Sequence, residues 1–531
     1  MIVGLPAGGY EILAKSSKLL QILAAPVTGL VGEGDPMAGS LSDKELAYRT
    51  AGELVSELAQ KRVSAVELVD AAIARIEALD GKINAVVVRD FERARAAAQA
   101  ADQALARGER QPLLGLPITV KEHYNLAGLP TSWGDPQFRD WHPEEDALVV
   151  ARLKAAGAIV LGKTNVPLAL MDWQSENAVY GTTNNPWDLA RTPGGSSGGS
   201  AAALAAGFVA LELGSDIGGS LRCPAHFCGV YAHKPSLDLV PSRGAGPPAT
   251  PAVPVRGDLA VLGPMARSAG DLALALDVLA GPDPWSEGIG YRLALPPPRH
   301  QRLADYRVLL LDAHPLCPTA AAVAASLDRL GERLSGLGCR VERRSPGLPN
   351  LARTTRNYVE LLTAFNAVGL PAAERERLLA ATRALATDGD SISAARLRGL
   401  TMSHTDWVMA SRLRIGLRHR WQLLFREFDV VLCPPMPTAA FPHDHSARWE
   451  RHLDIDGATV PYGDQVAWGG IAILTGFPAT AAPIDISADG LPIGVQIVGG
   501  YLEDRTTIAF AGLLEAAFGD FAPPPLLASR A

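Results

Sequence analysis

Three short stretches of the chain pair residues that can do chemistry with backbone able to place them. The densest is Pro193-Gly-Gly-Ser-Ser-Gly-Gly-Ser200. Glycines flanking two serines fit neither helix nor strand propensity. Glycine is needed where backbone turns left-handed or approaches another group closely. A flexible linker would not run straight into an Ala-rich helix over residues 201–206 and then a buried strand over residues 209–213. An ordered functional loop is therefore predicted. The second stretch is Gly214-Ser-Asp-Ile-Gly-Gly-Ser-Leu-Arg222, which sets Ser220 at the end of a glycine-rich turn. Successive N–H groups in such a turn can converge on one point and stabilise a developing oxyanion. An ordinary strand-to-loop turn explains that stretch equally well on its own. The third is Leu116-Pro-Ile-Thr-Val-Lys121, an apolar strand ending in lysine. Such a lysine is usually solvated, but a desolvated one gives up its proton and can serve as a base.

Two look-alike motifs lead elsewhere. Gly157-Ala-Ile-Val-Leu-Gly-Lys-Thr164 matches the phosphate-loop pattern letter for letter. Its central residues are apolar and strand-forming, and Asn165-Val-Pro167 follows where a helix should start, so a buried strand is predicted. Gly194-Gly-Ser-Ser-Gly198 matches the G-x-S-x-G nucleophile elbow, which would make Ser196 the nucleophile of a Ser-His-Asp esterase. That elbow follows a strand directly, whereas residues 184–191 are polar and turn-like. This reading is the mechanistic alternative.

The elements around these stretches follow from periodicity. Residues 51–60, 64–80 and 91–107 read as helices, the second with a capping box from Ser64 and Glu67. Residues 117–120, 158–161 and 209–213 read as buried strands, with a helix over 146–156. Strand–helix alternation returns over 307–312, 320–337 and 340–344. Residues 357–428 read as mainly helical, and 430–433 and 495–498 as strands. Pro-rich 247–254 and 296–298 read as surface loops. The fold class is α/β: one large domain, residues 41–531, with a mixed twisted sheet covered by helices on both faces. Residues 1–40 read as a loosely attached extension. An interfacial helix over residues 10–30 is the other reading of that segment.

The chain carries 49 Lys and Arg against 56 Asp and Glu, a net −7, which is a poor basis for gripping nucleic acid. Five cysteines in 531 residues imply no disulfide framework. Cys223 and Cys228 flank His226, but the spacing is no standard zinc pattern, and buried thiols are expected. No apolar run is long enough to predict a membrane span.

Taken together, the three stretches resemble the amidase-signature family. The matching residues are GLPITVKEHYNLAG, GKTNVP, NNPWDLARTPGGSSGGSAAALAAG and LGSDIGGSLRCPAHFCGVYAHKP, in that order, and Gly476 to Gly500 looks like the family's closing strands. The likeness spans nearly everything after residue 45. It implies a Ser–Ser–Lys triad with Ser220 as nucleophile, Ser196 as bridging acid and base, and Lys121 as ultimate base. It also implies a cis peptide at Gly195–Ser196 and an oxyanion hole from the N–H groups of Ile217, Gly218, Gly219 and Ser220. Gly195, Ser197, Ser215, Asp216 and Arg222 would support these groups by packing, hydrogen bonds and an ion pair. Trp133, Leu170, Met171, Asp172 and Trp173 are candidate pocket residues, with Asp172 suited to polar or amine-bearing substrates. His233 stands where the family usually has an apolar residue.

The implied activity is hydrolysis of a linear amide, anilide or carbamate through an acyl-enzyme, with no cofactor and no metal. The expected partners are a small amide-type substrate and, as candidate assembly, a homodimer, with no nucleic acid and no membrane, in the cytoplasm. The alternatives are the catalytic subunit of a glutamine-dependent tRNA amidotransferase and a scaffold that has kept the fold without the chemistry.

Overall fold

The computed structural model describes residues 46–254, 257–368, 370–385, 388–519 and 521–528. The extension expected over residues 1–40 lies outside them. An eleven-stranded sheet organises the rest. Its strands are β1 (Val86–Arg89), β2 (Pro117–Lys121), β3 (Ile159–Thr164), β4 (Leu211–Asp216), β5 (Tyr231–Lys234), β6 (Val261–Ala266), β7 (Arg307–Leu310), β8 (Arg340–Glu342), β9 (Val430–Cys433), β10 (Ala479–Ile486) and β11 (Pro492–Val498). The spatial order is β1-β3-β2-β4-β6-β5-β10-β11-β9-β7-β8. The sheet is mixed. The β3–β2–β4 block and the β9–β7–β8 block are parallel, and the middle is antiparallel.

The helices form where the periodicity places them. Helix α1 (Ala65–Ile83) starts at Ser64, whose side chain accepts from the Glu67 amide while Glu67 reaches back to the Ser64 amide. This reciprocal cap satisfies two orphan donors. Its buried stripe of Leu68, Val69, Ala72, Ile73 and Ile76 packs into the main core. The region predicted as mainly helical, residues 357–428, is covered by Leu351–Asn366, which starts six residues before it, and by Ala372–Leu385, Ile392–Leu400 and His404–Glu427. The phosphate-loop look-alike is indeed strand: Ile159–Thr164 is buried throughout. Lys163 donates to Pro130 O at 2.6 Å and Thr131 Oγ1 at 2.7 Å, tying strand to loop. All five cysteines are buried and free. No helix of the described residues is long and apolar enough to cross a membrane.

Strand topology explains why the chemistry gathers at one edge. β2 and β4 are parallel neighbours, with Thr119 opposite Glu212 and Val120 opposite Leu213. Their C-terminal ends, Lys121 and Asp216, therefore emerge on the same side. Side chains alternate faces with period two, so Lys121 shares a face with Glu212 and Asp216. Ligand sites of open α/β sheets lie at this carboxyl edge.

Candidate active site

The serine loop reaches this edge from Ser196 to the buried helix α2 (Gly198–Ala205). The helix starts inside the glycine run, earlier than residue 201, where it was expected. Close approach accounts for the glycines. A Cβ on Gly195 would sit 2.4 Å from Asp172 O, and one on Gly199 would sit 2.3 Å from the Asn165 amide nitrogen. No side chain fits there. The Gly195–Ser196 peptide is cis.

Lys121 is fully buried, and its Nζ donates to Ser196 Oγ at 2.6 Å and to Ser215 Oγ at 3.0 Å. Burial pushes the amine down to about 7, against the pull of Asp216 and Glu212. The lysine is thus poised to exchange a proton near neutrality. Glu212 went unnoticed in the sequence. It accepts from Thr164 Oγ1 at 2.9 Å and from the Leu213 amide at 2.7 Å. Burial pushes its carboxyl up to about 7 despite those bonds.

Ser220 follows β4 in the glycine turn, immediately before helix α3 (Arg222–Cys228). The Ser197 amide donates to Ser220 O at 3.2 Å, which joins the two serine loops. Ser197 Oγ bridges further, donating to Ser215 O at 3.3 Å. Among the described residues no hydrogen bond occupies the Ser220 hydroxyl. The turn is held from beneath by Asp216. Its carboxylate accepts from the Gly219 amide at 2.8 Å and the Leu221 amide at 3.1 Å. The Gly219 N–H is therefore committed to Asp216 and points away from the role expected of it. Ile217, Gly218 and Ser220 keep amides with no acceptor among the described residues.

Asp216 and Arg222 form a buried two-point ion pair, Nε to Oδ2 at 2.9 Å and Nη2 to Oδ1 at 3.0 Å. Burial alone would raise the Asp216 carboxyl, but Arg222 and the turn amides hold it below its ordinary value. Arg222 also donates to Gln496 Oε1 at 2.7 Å and Gly469 O at 3.1 Å, anchoring the turn to β11. Removing one partner of a buried pair strands the other charge at a cost of about 3–5 kcal/mol. Arg222→Met should therefore lower unfolding stability by that order. Denaturant titration of Arg222→Met beside Arg222→Met/Asp216→Asn checks this, and the double variant should recover part of the loss.

The candidate pocket residues divide. Trp173 donates from Nε1 to Gly218 O at 2.9 Å, so it contacts the Ser220 turn directly. Tyr358, from the helical region that the sequence left without chemistry, donates to Ile217 O at 2.8 Å. Trp133 lies one step away. It donates to His123 O at 3.2 Å, and its carbonyl receives the Ala169 amide at 2.8 Å. Leu170, with a left-handed φ of 61°, and Met171 belong to that adjoining turn. Asp172 does not fit the amine-binding role expected of it. Its carboxylate already receives Arg451 Nη1 at 2.6 Å, Tyr462 OH at 2.6 Å and the Trp173 amide at 2.7 Å. The charge is spent on holding the wall together. His226 receives the Gly494 amide at 2.7 Å and pairs with Thr438 O at 3.0 Å, and His233 bridges Thr480 and Asp504. Both pack elements together.

A lysine, two serines and a turn of open amides thus gather at one sheet edge. The chain belongs to the amidase-signature family, whose members act on amide C–N bonds: the family model Amidase matches residues 67–508. Among its relatives, "Putative amidase AmiB2" of Mycobacterium tuberculosis is 38% identical over 490 residues, covering 89% of this chain and 97% of that protein. A glutamyl-tRNA(Gln) amidotransferase subunit of Anaeromyxobacter sp. (strain K) is 35% identical over 517 residues, covering 91% of this chain and 99% of that protein. Among solved structures, one from a vestigial protein complex bearing on the origins of an s-triazine catabolic enzyme aligns with a TM-score of 0.75. It is 30% identical, covering 90% of this chain and all of that one.

Proposed function

We propose that the chain is a self-sufficient amidohydrolase that cleaves small linear amides, anilides or carbamates in the cytoplasm through an acyl-enzyme on Ser220. The observation that carries this reading is the 2.6 Å contact of Lys121 Nζ with Ser196 Oγ in a buried setting that lowers the amine to about 7. In its neutral form the amine offers a lone pair to the Ser196 proton. Ser196 in turn takes the proton of Ser220 as Ser220 Oγ attacks the carbonyl carbon. The oxyanion forms against the amides of Ile217, Gly218 and Ser220. Ser196 then passes a proton to the leaving nitrogen, and water releases the acyl group. No histidine, cofactor or metal takes part.

A second reading is favoured by the amidotransferase relative: one chain of a complex whose other chains deliver what it needs to transfer ammonia. The two separate in a turnover panel of acyl anilides, primary amides and carbamates given to the purified chain alone. The expected result is steady hydrolysis of at least one class without partner protein, nucleotide or tRNA. Turnover that begins only when partner proteins are added would favour the amidotransferase reading.

A further inference from the structure

Residues 440–451 form a strap across the site wall. Arg191 Nη1 donates to Ala440 O at 2.8 Å, and the Thr192 amide to Phe441 O at 3.0 Å. Gln174 and Asp444 exchange two hydrogen bonds at 2.9 and 3.0 Å. His445 meets Glu176 at 2.8 Å. A strap fixed at this many points presents its side chains to the site in defined positions.

The cations on this wall are unequal. Arg451 is matched by Asp172, and Arg396 by Asp464 at 3.4 Å. Arg448 is matched by neither. Its guanidinium lies 5.6 Å from the Trp173 ring centre and 5.0 Å from that of Trp449, and among the described residues it enters no ion pair. It is only partly exposed. Asp444 on the strap also acts on Arg451, so of these three guanidiniums Arg448 is the one with no ion pair among the described residues. Trp173 is the residue that bonds to Gly218 O beside Ser220, so Arg448 stands one indole away from the proposed nucleophile's turn. Arginine stacked on aromatic faces keeps its N–H edge open, and that planar edge matches a carboxylate at two points.

We propose that Arg448 binds a carboxylate carried by the substrate, making the enzyme selective for amides that bear an acidic group. This rests on the amidohydrolase reading above. The unpaired, partly desolvated cation gains most from an anionic ligand, whereas a neutral substrate leaves it without a partner. The attraction is electrostatic, so the selectivity should shrink as added salt screens its exposed side.

The test compares matched nitroanilides on the full chain: a butyryl nitroanilide, the succinic mono-nitroanilide with its carboxylate on the acyl side, and a butyryl anilide with the carboxylate on the leaving aniline. One of the two acids should exceed the neutral compound in kcat/KM by at least tenfold, and the arm that does so places the carboxylate. In Arg448→Gln the ratio of acid to neutral kcat/KM should fall at least tenfold, mainly through KM, and Arg448→Lys should restore part of it. Arg448→Glu should invert the preference toward an amine-bearing acyl anilide. A neutral preference in the parent enzyme, or an acid-to-neutral ratio unmoved by Arg448→Gln, overturns the proposal. Labelling of Ser220 by a fluorophosphonate, run in parallel, keeps the two readings apart. Labelling with no acid preference removes only the Arg448 assignment. Loss of Ser220 labelling in the parent enzyme removes both.

Discussion

Ser220→Ala should lower kcat/KM on any accepted amide by about 10⁴-fold or more while leaving the fold intact. The substitution deletes one hydroxyl at a turn. Among the described residues that hydroxyl holds no hydrogen bond, whereas the turn is fixed by Asp216, Arg222, Trp173 and Tyr358. Structure and chemistry therefore separate at this position. Ser196→Ala should also be severe, because it would break the proposed relay between Lys121 and Ser220, yet Ser220 would remain. Steady-state kinetics beside circular dichroism and thermal unfolding measure both halves of the expectation. A Ser220→Ala protein with more than a few per cent of the parental kcat/KM would be incompatible with covalent catalysis at this residue.

Lys121→Ala should cost about 10²–10⁴-fold in kcat, the usual contribution of a positioned general base. It should also change the pH profile. As the proposed base the lysine would act only when neutral, and burial lowers it to about 7. It is charged and idle below that pH and neutral above it, so parental activity should rise with pH through about 7 and level off on the alkaline side. Glu212, raised to about 7 on the same strand face, shares that window. Two groups titrating together give apparent values that belong to the pair. Glu212→Gln resolves them: the limb should move but persist, because the amine remains. In Lys121→Ala the ascending limb should disappear, leaving a weak residual rate from the nucleophile and open amides. A near-normal rate with an unchanged limb in Lys121→Ala would make the lysine structural.

Much of this was legible in the sequence because local chemistry was strongly encoded. The capping box at Ser64, the apolar strands ending at Lys121 and before Ser215, and the glycine runs each require particular residues at particular backbone positions. Strands β5 and β6 were not legible. Tyr231–Lys234 carries His233 and Lys234, and Val261–Ala266 contains Gly263 and Pro264, so neither reads as an apolar run. Their partners in the sheet, not their own propensity, make them strands. In β10 the stretch Ala479–Ile486 is Ala-rich and interrupted by Pro483, so its own residues do not read as a strand, and only the family resemblance over Gly476 to Gly500 pointed to it. The wall of the site was missed for another reason. Tyr358, Arg448, Arg451 and Tyr462 lie far along the chain from the serine motifs and carry no local signal. Only tertiary packing brings Tyr358 to Ile217 and the other three to Asp172 and Trp173. Asp172 read as a free carboxylate because its partner Arg451 lies 279 residues away. Glu212 was hidden within an apolar strand, where a buried acid satisfied by Thr164 and the Leu213 amide leaves no pattern.

The central claim is that Ser220 forms the covalent bond and Ser196 relays its proton. A fluorophosphonate adduct mapped by peptide mass spectrometry tests this most directly, in the parent protein and in the two single alanine variants. The expected result is one adduct, on the peptide containing Ser220. It should be absent in Ser220→Ala and slowed but still at Ser220 in Ser196→Ala. An adduct on Ser196, retained in Ser220→Ala and lost in Ser196→Ala, would contradict the account and make Ser196 the nucleophile.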